Sequence, residues 1–375
     1  MQTGHVTKLD LWMPPINLNF NDPTAFDFVS LQGTISPSLL DLKYLNYLDL
    51  SCSNFEQTPI PNFIGSFTKL EYLNLSYASF SGLVPPHLGN LSNLRYLDLP
   101  SQNLDQHILV SDLNSILGLS SLELLNLRMV SLSFALTNWL QAINTLLSLM
   151  LFRLSYCRLH DIPTTLPIVN FSSIQVIDLS SNDFNSPLPG WLFNISSLVE
   201  LELSFNGFSG QIPPYGMEFN VKGQTLEFVK ITNIVNLIDL SGNNLEGEIP
   251  KEILKLSTLG TLNLAWNQLV GNIPKKIGDL QLLETLDLSI NYLSGPIPAS
   301  MPSMTLLSHL NLSHNDLSGP IPSANRFQIF NDPSIYEGNP KLCGAPLPTN
   351  CSTHKNETPE GYTGKDRNES WSETL

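Results

Sequence analysis

Residues 259–274 read LGTLNLAWNQLVGNIP, residues 283–298 read LETLDLSINYLSGPIP, and residues 307–322 read LSHLNLSHNDLSGPIP. The three lines align without a gap at a spacing of 24 residues. Each opens L-x-x-L-x-L, places Asn at position 9 and Leu at position 11, and closes on Ile-Pro. A leucine repeat of about 20–29 residues forms one short strand and a return segment per turn. No such turn can bury its apolar face alone, so turns stack on a shared core and form a solenoid. A solenoid offers a long curved surface, and that surface is the first place to look for a partner.

Working outward, further turns start at Leu45, Leu70, Leu94, Leu122, Leu149, Ile174, Leu198 and Val235, with steps of 24 to 28 residues and one of 37. A partial turn precedes them in Val6–Leu11 and Leu31–Leu42. The long step contains PPYGMEFNVKGQTLEFVKITN, which has no repeat register. The resulting division is as follows. Residues 1–44 form irregular first turns without a cysteine cap, and 45–213 are repeats. An island-like interruption spans 214–233, and repeats resume over 234–322. A cap with a cysteine pair spans 323–351, and an acidic tail over 352–375 is expected to be disordered.

Each position has a physical job. Leucines at positions 1, 4, 6 and 11 point inward, each worth roughly 1.5–3 kcal/mol when buried. Residues flanking the strand leucines point outward, because side chains alternate along a strand. The Asn at position 9 is expected to bond buried backbone of neighbouring turns. Asn182, Asn206, Asn243, Asn267, Asn291 and Asn315 hold that place, and Cys157 substitutes there. Ser53, Ala78, Gln102 and Val130 depart from it, so the ladder is ragged in the first half. Pro213, Pro250, Pro274, Pro298 and Pro322 share one register and read as structural punctuation.

The 375 residues carry 33 acidic against 18 basic side chains, a net charge of −15. Nucleic acid and anionic membranes need a basic footprint and are disfavoured as partners. The acidity reads as solubility, with a basic ligand as the other reading. No apolar run reaches a membrane span, and the N-terminus has no signal-peptide pattern.

Cys343 and Cys351, eight residues apart just past the last repeat, are expected to close a disulfide-bonded cap. A zinc site is the weaker rival for that pair. Cys52 and Cys157 lie about 19 Å apart if strands stack at 4.8 Å, too far to bridge, and Cys52 reads as a free thiol. Eight N-x-S/T sequons occur, at Asn74, Asn90, Asn170, Asn194, Asn311, Asn350, Asn356 and Asn368. Asn90, Asn170 and Asn194 share one register on the return side, whereas Asn74 and Asn311 fall between strand leucines on the concave side. Glycans at the return-side set, with the cysteine pair, point to a secreted or ectodomain context.

The L-S-G-x-I-P spelling resembles the plant-specific class of leucine-rich repeats. The run from Glu227 to Pro348, ending in YEGNPKLCGAPLP, resembles plant receptor-like proteins, the kinase-less receptors of immunity and development. GHVTKLDL and GNLSNLRYLDL carry the resemblance into the first half. It implies a right-handed α/β solenoid, a horseshoe or superhelix of about 11–12 turns with a parallel sheet on its concave face. Family members open with a signal peptide and a cysteine-paired cap, and continue past the acidic tail into one membrane helix. This sequence shows none of these and is expected to be truncated at both ends. The resemblance places the protein on the extracellular side of the plasma membrane.

No catalytic constellation, metal-ligand set or phosphate-cradling glycine loop is legible, so no enzyme activity, cofactor or metal is expected. His309 and His314 lack a third ligand. The leading functional expectation is a non-enzymatic ligand-recognition ectodomain. Tyr72, Tyr96, Arg128, Arg153, Tyr156, Glu202, Phe205, Trp266 and His309 are its concave contact residues. Aromatic and Arg side chains are enriched at binding hot spots. Each residue taken alone reads first as a neutral exposed strand position, and as a contact only second. The ligand would be a peptide, protein or glycan. By resemblance, the last four repeats and the island would contact a membrane co-receptor kinase, with an adaptor kinase in signalling for defence or development. Two alternatives stay open: a soluble inhibitor of a secreted cell-wall-degrading enzyme, like the polygalacturonase-inhibiting proteins, and a non-functional receptor fragment.

Overall fold

Each L-x-L triplet buries its leucines and leaves the residues beside them facing out. That pattern makes a three-residue strand, and a chain of identical strands pairs side by side. The computed structural model describes residues 4–12, 31–101, 108–111, 116, 118–132, 139–166, 169–214, 219–221, 224–226, 234–323 and 325–351. Its main sheet has 12 strands in chain order, from Lys8–Asp10 through Tyr72–Asn74 and Glu200–Glu202 to His309–Asn311. Every neighbouring pair is parallel and in register, as in Tyr72 beside Tyr96 and Thr285 beside His309. The expected solenoid of about 11–12 turns is the fold observed.

One continuous apolar core runs from Leu45 to Leu342. Along it the ladder asparagines do the polar work. Asn315 Nδ2 donates to the carbonyls of Leu288, Leu312 and Ser313, and its Oδ1 accepts the N–H of Leu293. Asn182, Asn243, Asn267 and Asn291 repeat this pattern. Cys157 fills the same place, fully buried, with its Sγ donating to the Leu127 carbonyl. Ala78 and Val130 fill it with apolar bulk, and Phe55 stacks on Phe80 at 4.7 Å in that ragged half. Gln102 lies outside the described residues.

The ladder does not stop at Pro322. Asn339 donates to the Leu312 and Tyr336 carbonyls and accepts the N–H of Leu317. The cap therefore continues the register for one more turn, and Cys343 is bonded to Cys351. This corrects the expectation that the repeat ends at residue 322. The G-N-P spelling hides the position, because no L-x-L triplet precedes it.

Two features were not read from sequence. The L-x-G-x-I-P segments pair into a second parallel sheet of six strands, from Ser209–Gln211 to Lys341–Cys343. Alternation explains it: Leu245 is buried, Glu246 exposed and Ile249 buried. Beyond it, the register prolines cap short 3-10 helices on the return side. Pro250, for example, precedes Lys251–Lys255 at φ −65. These helices pack so closely that a Cβ on Gly278 would stand 2.2 Å from the Ser300 carbonyl oxygen.

Inside the long step, Phe219–Val221 and Gln224–Leu226 form an antiparallel pair. The strand before the interruption, Glu200–Glu202, still pairs directly with Leu237–Asp239 after it. The insertion thus leaves the main sheet unbroken. The tail over 352–375 lies outside the described residues. Among the described residues no helix is long and apolar enough to cross a membrane.

Candidate functional site: the concave sheet face

The outward positions of the strands form rows across the sheet. At position 3 stand Tyr47, Tyr72, Tyr96, Leu124, Leu151 and Val176 on six consecutive strands. Strand spacing near 4.8 Å favours face-to-face stacking of like rings. Tyr47 and Tyr72 accordingly stack at 4.1 Å and 6°, and Tyr72 and Tyr96 at 4.2 Å and 17°. Lys8 caps the stack, its Nζ 4.1 Å from the Tyr47 ring centroid.

Beyond the tyrosines the row turns aliphatic and opens into a groove of about 440 Å³. Tyr72, Tyr96, Leu124, Met150, Leu151 and Val176 supply its apolar lining. Glu71, Arg95, Glu123 and Gln175 form its polar edge. The Arg95 guanidinium is already committed, donating through Nη2 at 2.6 Å and Nε at 2.9 Å to Glu123 Oε1.

Position 5 behaves differently from its expected role. Asp49, Asn74, Asn126, Asp178, Asp239, Asn263, Asp287 and Asn311 each accept the backbone N–H two residues on. This local bond turns the chain off the strand, as short polar side chains commonly do. The D-L-S and N-L-S spellings are therefore turn chemistry.

Asp98 is the exception among the Asp and Asn residues at this position, because Pro100 stands where the donor should be and has no N–H. One buried carboxylate oxygen of Asp98 has no hydrogen-bond partner, while the other accepts from the Tyr96 hydroxyl at 3.0 Å. Burial, with the charge of Asp49 adding, raises the Asp98 carboxyl to about 6. Burial likewise raises the Tyr96 hydroxyl to about 12, with Asp98 contributing.

Position 8 forms a third row, along the C-terminal ends of the strands. Cys52, Tyr77, Met129, Tyr156, Ser181, Phe205, Trp266, Ile290 and His314 all have φ between 52° and 61°. Their N–H groups extend the ladder, as when Trp266 donates to the Ser289 carbonyl. Phe205 is 64% exposed and Trp266 60%.

The nine expected contact residues thus fall on several rows. Tyr72, Tyr96 and His309 occupy position 3, but His309 lies nine strands beyond Tyr72, roughly 40 Å along the sheet. Its Nδ1 meets Ser308 Oγ at 2.9 Å. Arg153 and Glu202 occupy position 5. Burial raises the Glu202 carboxyl, with Asp178 and Asp239 adding. Arg128, at position 7, lies 5.8 Å from the ring centroid of Tyr156. Tyr156, Phe205 and Trp266 belong to position 8. Of the nine, Tyr72 stacks on Tyr96 and Arg128 lies by the Tyr156 ring, and Arg153 stands near enough to Glu202 to oppose the rise of its carboxyl. Leu124, Met150, Leu151 and Val176 were missed. Their signal was an apolar residue at an outward position, as in LELLNL and LMLFRL.

The sequons separate by exposure. Asn90, Asn170, Asn194 and Asn350 are exposed. Asn74 is 9% exposed, and its Nδ2 donates to Asp49 Oδ2. Asn311 is half-buried, its Nδ2 bonded to Asp287 Oδ2. In the concave pair the position-5 turn engages each side-chain oxygen and the Asp of the preceding strand engages each amide nitrogen. Asn356 and Asn368 lie outside the described residues. Cys52 is a free, part-exposed thiol.

The leucine-rich-repeat family model matches residues 69–91, 173–195, 197–217, 235–256, 282–304 and 306–326. Receptor-like protein EIX1 of Solanum lycopersicum is 37% identical over 198 residues, covering 52% of this chain and 18% of its own length. The chain thus spans less than a fifth of that relative. The ectodomain of the Arabidopsis thaliana receptor kinase GASSHO1/SCHENGEN3, solved with CASPARIAN STRIP INTEGRITY FACTOR 2, superposes with a TM-score of 0.71. It is 29% identical, and the match covers 86% of this chain and 38% of that one. The plant peptide hormone receptor RGFR1 in complex with RGF2 gives 0.63 at 28% identity, covering 78% of this chain and 44% of that one.

Proposed function

We propose, for a chain that is a leucine-rich-repeat protein of the plant receptor-like kind, that its concave sheet is an extracellular ligand-recognition surface. The observation that carries this is the apolar groove at position 3. Tyr96, Leu124, Leu151 and Val176 place large apolar side chains on an outward row that folding leaves half-buried, beside the exposed Met150. Exposed apolar patches of this kind mark binding surfaces. A peptide or a loop of a protein is the ligand that fits an open groove running across these strands. The similarity to ectodomains solved with peptide partners supports the same choice.

In this reading the protein acts on the outer side of the plasma membrane, in defence or developmental signalling, and passes the signal to co-receptor kinases. It carries no catalytic step of its own. Glycans on exposed Asn90, Asn170 and Asn194 clothe the return side and leave the concave side bare.

The test is a selection of displayed random peptides on the folded chain, repeated on Tyr96→Ser and Leu151→Ser. Enrichment of shared sequences that both substitutions abolish supports the groove. Equal enrichment on the variants, or none on the parent, contradicts it.

A further inference from the structure

The left-handed backbone at position 8 suits Gly, Asn or Asp, whose side chains tolerate it. Gly242 occupies one such place at φ +63. The neighbouring turns nevertheless carry Phe205, Trp266 and Ile290 at φ 52°, 57° and 53°. A β-branched or bulky residue in this region is a strained outlier. Such strain is retained where surrounding structure or function demands it. Folding gains little from these rings, because Phe205 and Trp266 are mostly exposed. The Phe205 ring lies over Gly242, so an aromatic side chain covers the one turn of the four that has no side chain of its own there. It costs the fold twice, in backbone strain and in exposed apolar surface.

The same four turns carry one sign of charge. Glu202, Asp239, Glu284 and Asp287 stand on their strands or immediately before them. The outward strand positions from Val199 to Asn311 hold no Lys or Arg. An apolar band beside a one-sign field selects a partner of opposite charge.

We propose that Phe205, Trp266 and Ile290 form a second contact surface, for a basic peptide or protein segment that places apolar side chains on the rings and Lys or Arg over the carboxylates. This rests on the reading of the concave face as a recognition surface, but uses residues separate from the position-3 groove.

The test uses Phe205→Asn, Trp266→Asn and Ile290→Asn, together with Tyr96→Ser in the groove. The probe is a 12-residue peptide of alternating Lys and Leu, with Glu–Leu and Lys–Ser versions as controls. Because Asn accepts a left-handed backbone, the three variants are expected to unfold at or above the denaturation midpoint of the parent chain. They are expected to bind the Lys–Leu peptide at least 10-fold more weakly, while Tyr96→Ser changes that affinity less than twofold. Lower midpoints in the Asn variants would make the rings structural and overturn the proposal. Unchanged affinity in them, or equal binding of the Glu–Leu or Lys–Ser peptide, would also overturn it. Loss of binding in Tyr96→Ser alone would refute the second surface while leaving the groove reading intact.

Discussion

The ring of Phe205 lies across Gly242 of the next turn, with its Cδ1 2.8 Å from where a Cβ on Gly242 would stand. His314 repeats the relation four turns further on, its ring 2.5 Å from the corresponding point on Gly338. A bulky left-handed residue thus leans onto the following turn, and glycine there makes room. Gly242→Ala forces both a displaced ring and a strained φ, and is expected to cost about 1–3 kcal/mol. In a Phe205→Asn background the same substitution should cost measurably less, because only the backbone strain remains. A double-mutant cycle by urea unfolding checks it, and additive costs would contradict the contact.

The ladder predicts a larger effect at Asn291. Its amide donates to the carbonyls of Leu264, Leu288 and Ser289 and accepts the Leu269 N–H, all buried. Asn291→Ala leaves these groups unpaired, at an expected cost of about 2–4 kcal/mol. Hydrogen exchange should locate the loss in the adjoining turns, since each turn contacts only its neighbours. A cost below about 1 kcal/mol would show that water replaces the amide.

On the return side, Gly278 is a packing residue. Its missing Cβ lets the Ser300 carbonyl approach to 2.2 Å of that point. Gly278→Ala must push backbone apart and is expected to lower stability by about 1–3 kcal/mol. Thermal unfolding reads this directly, and a neutral result would mean the return helices slide freely.

Asp98 makes the fold pH-sensitive. Its carboxyl is raised to about 6 in the folded chain, chiefly by burial. The folded state then holds the proton more tightly than the unfolded state, whose carboxyl sits near 3.9. The Asp98 contribution is therefore favourable below about pH 4 and is lost as pH rises through about 6. Asp98→Asn should remove this slope and stabilise the chain at pH 7 by about 1–3 kcal/mol. Unfolding midpoints between pH 4 and pH 7 test it, and an unchanged slope would place the titration elsewhere.

Much of this was legible because the repeat is rigidly periodic. Leu283, Leu286, Leu288 and Leu293 announce inward positions by spacing alone, and Asn291 announces the ladder. The second sheet was not legible, because the glycine and prolines of L-x-G-x-I-P mask a strand pattern that only pairing with neighbours stabilises. Asn339 was hidden because the cap lacks the leucine triplet. The site was legible as a face but not as rows. Outwardness alone does not distinguish position 5, which bonds its own backbone, from position 3, whose side chains line the open face. The orphaned oxygen of Asp98 depends on one proline two residues away, a relation seen only once the turn it interrupts is known.

The central claim is that the concave rows, and not the second sheet, meet the partner. Photo-crosslinking residues placed singly at Leu151 in the groove and at Val270, exposed on the second sheet, test this most directly. With a peptide selected on the folded chain, a crosslink from position 151 and none from position 270 is predicted. A crosslink from position 270 alone would contradict the account.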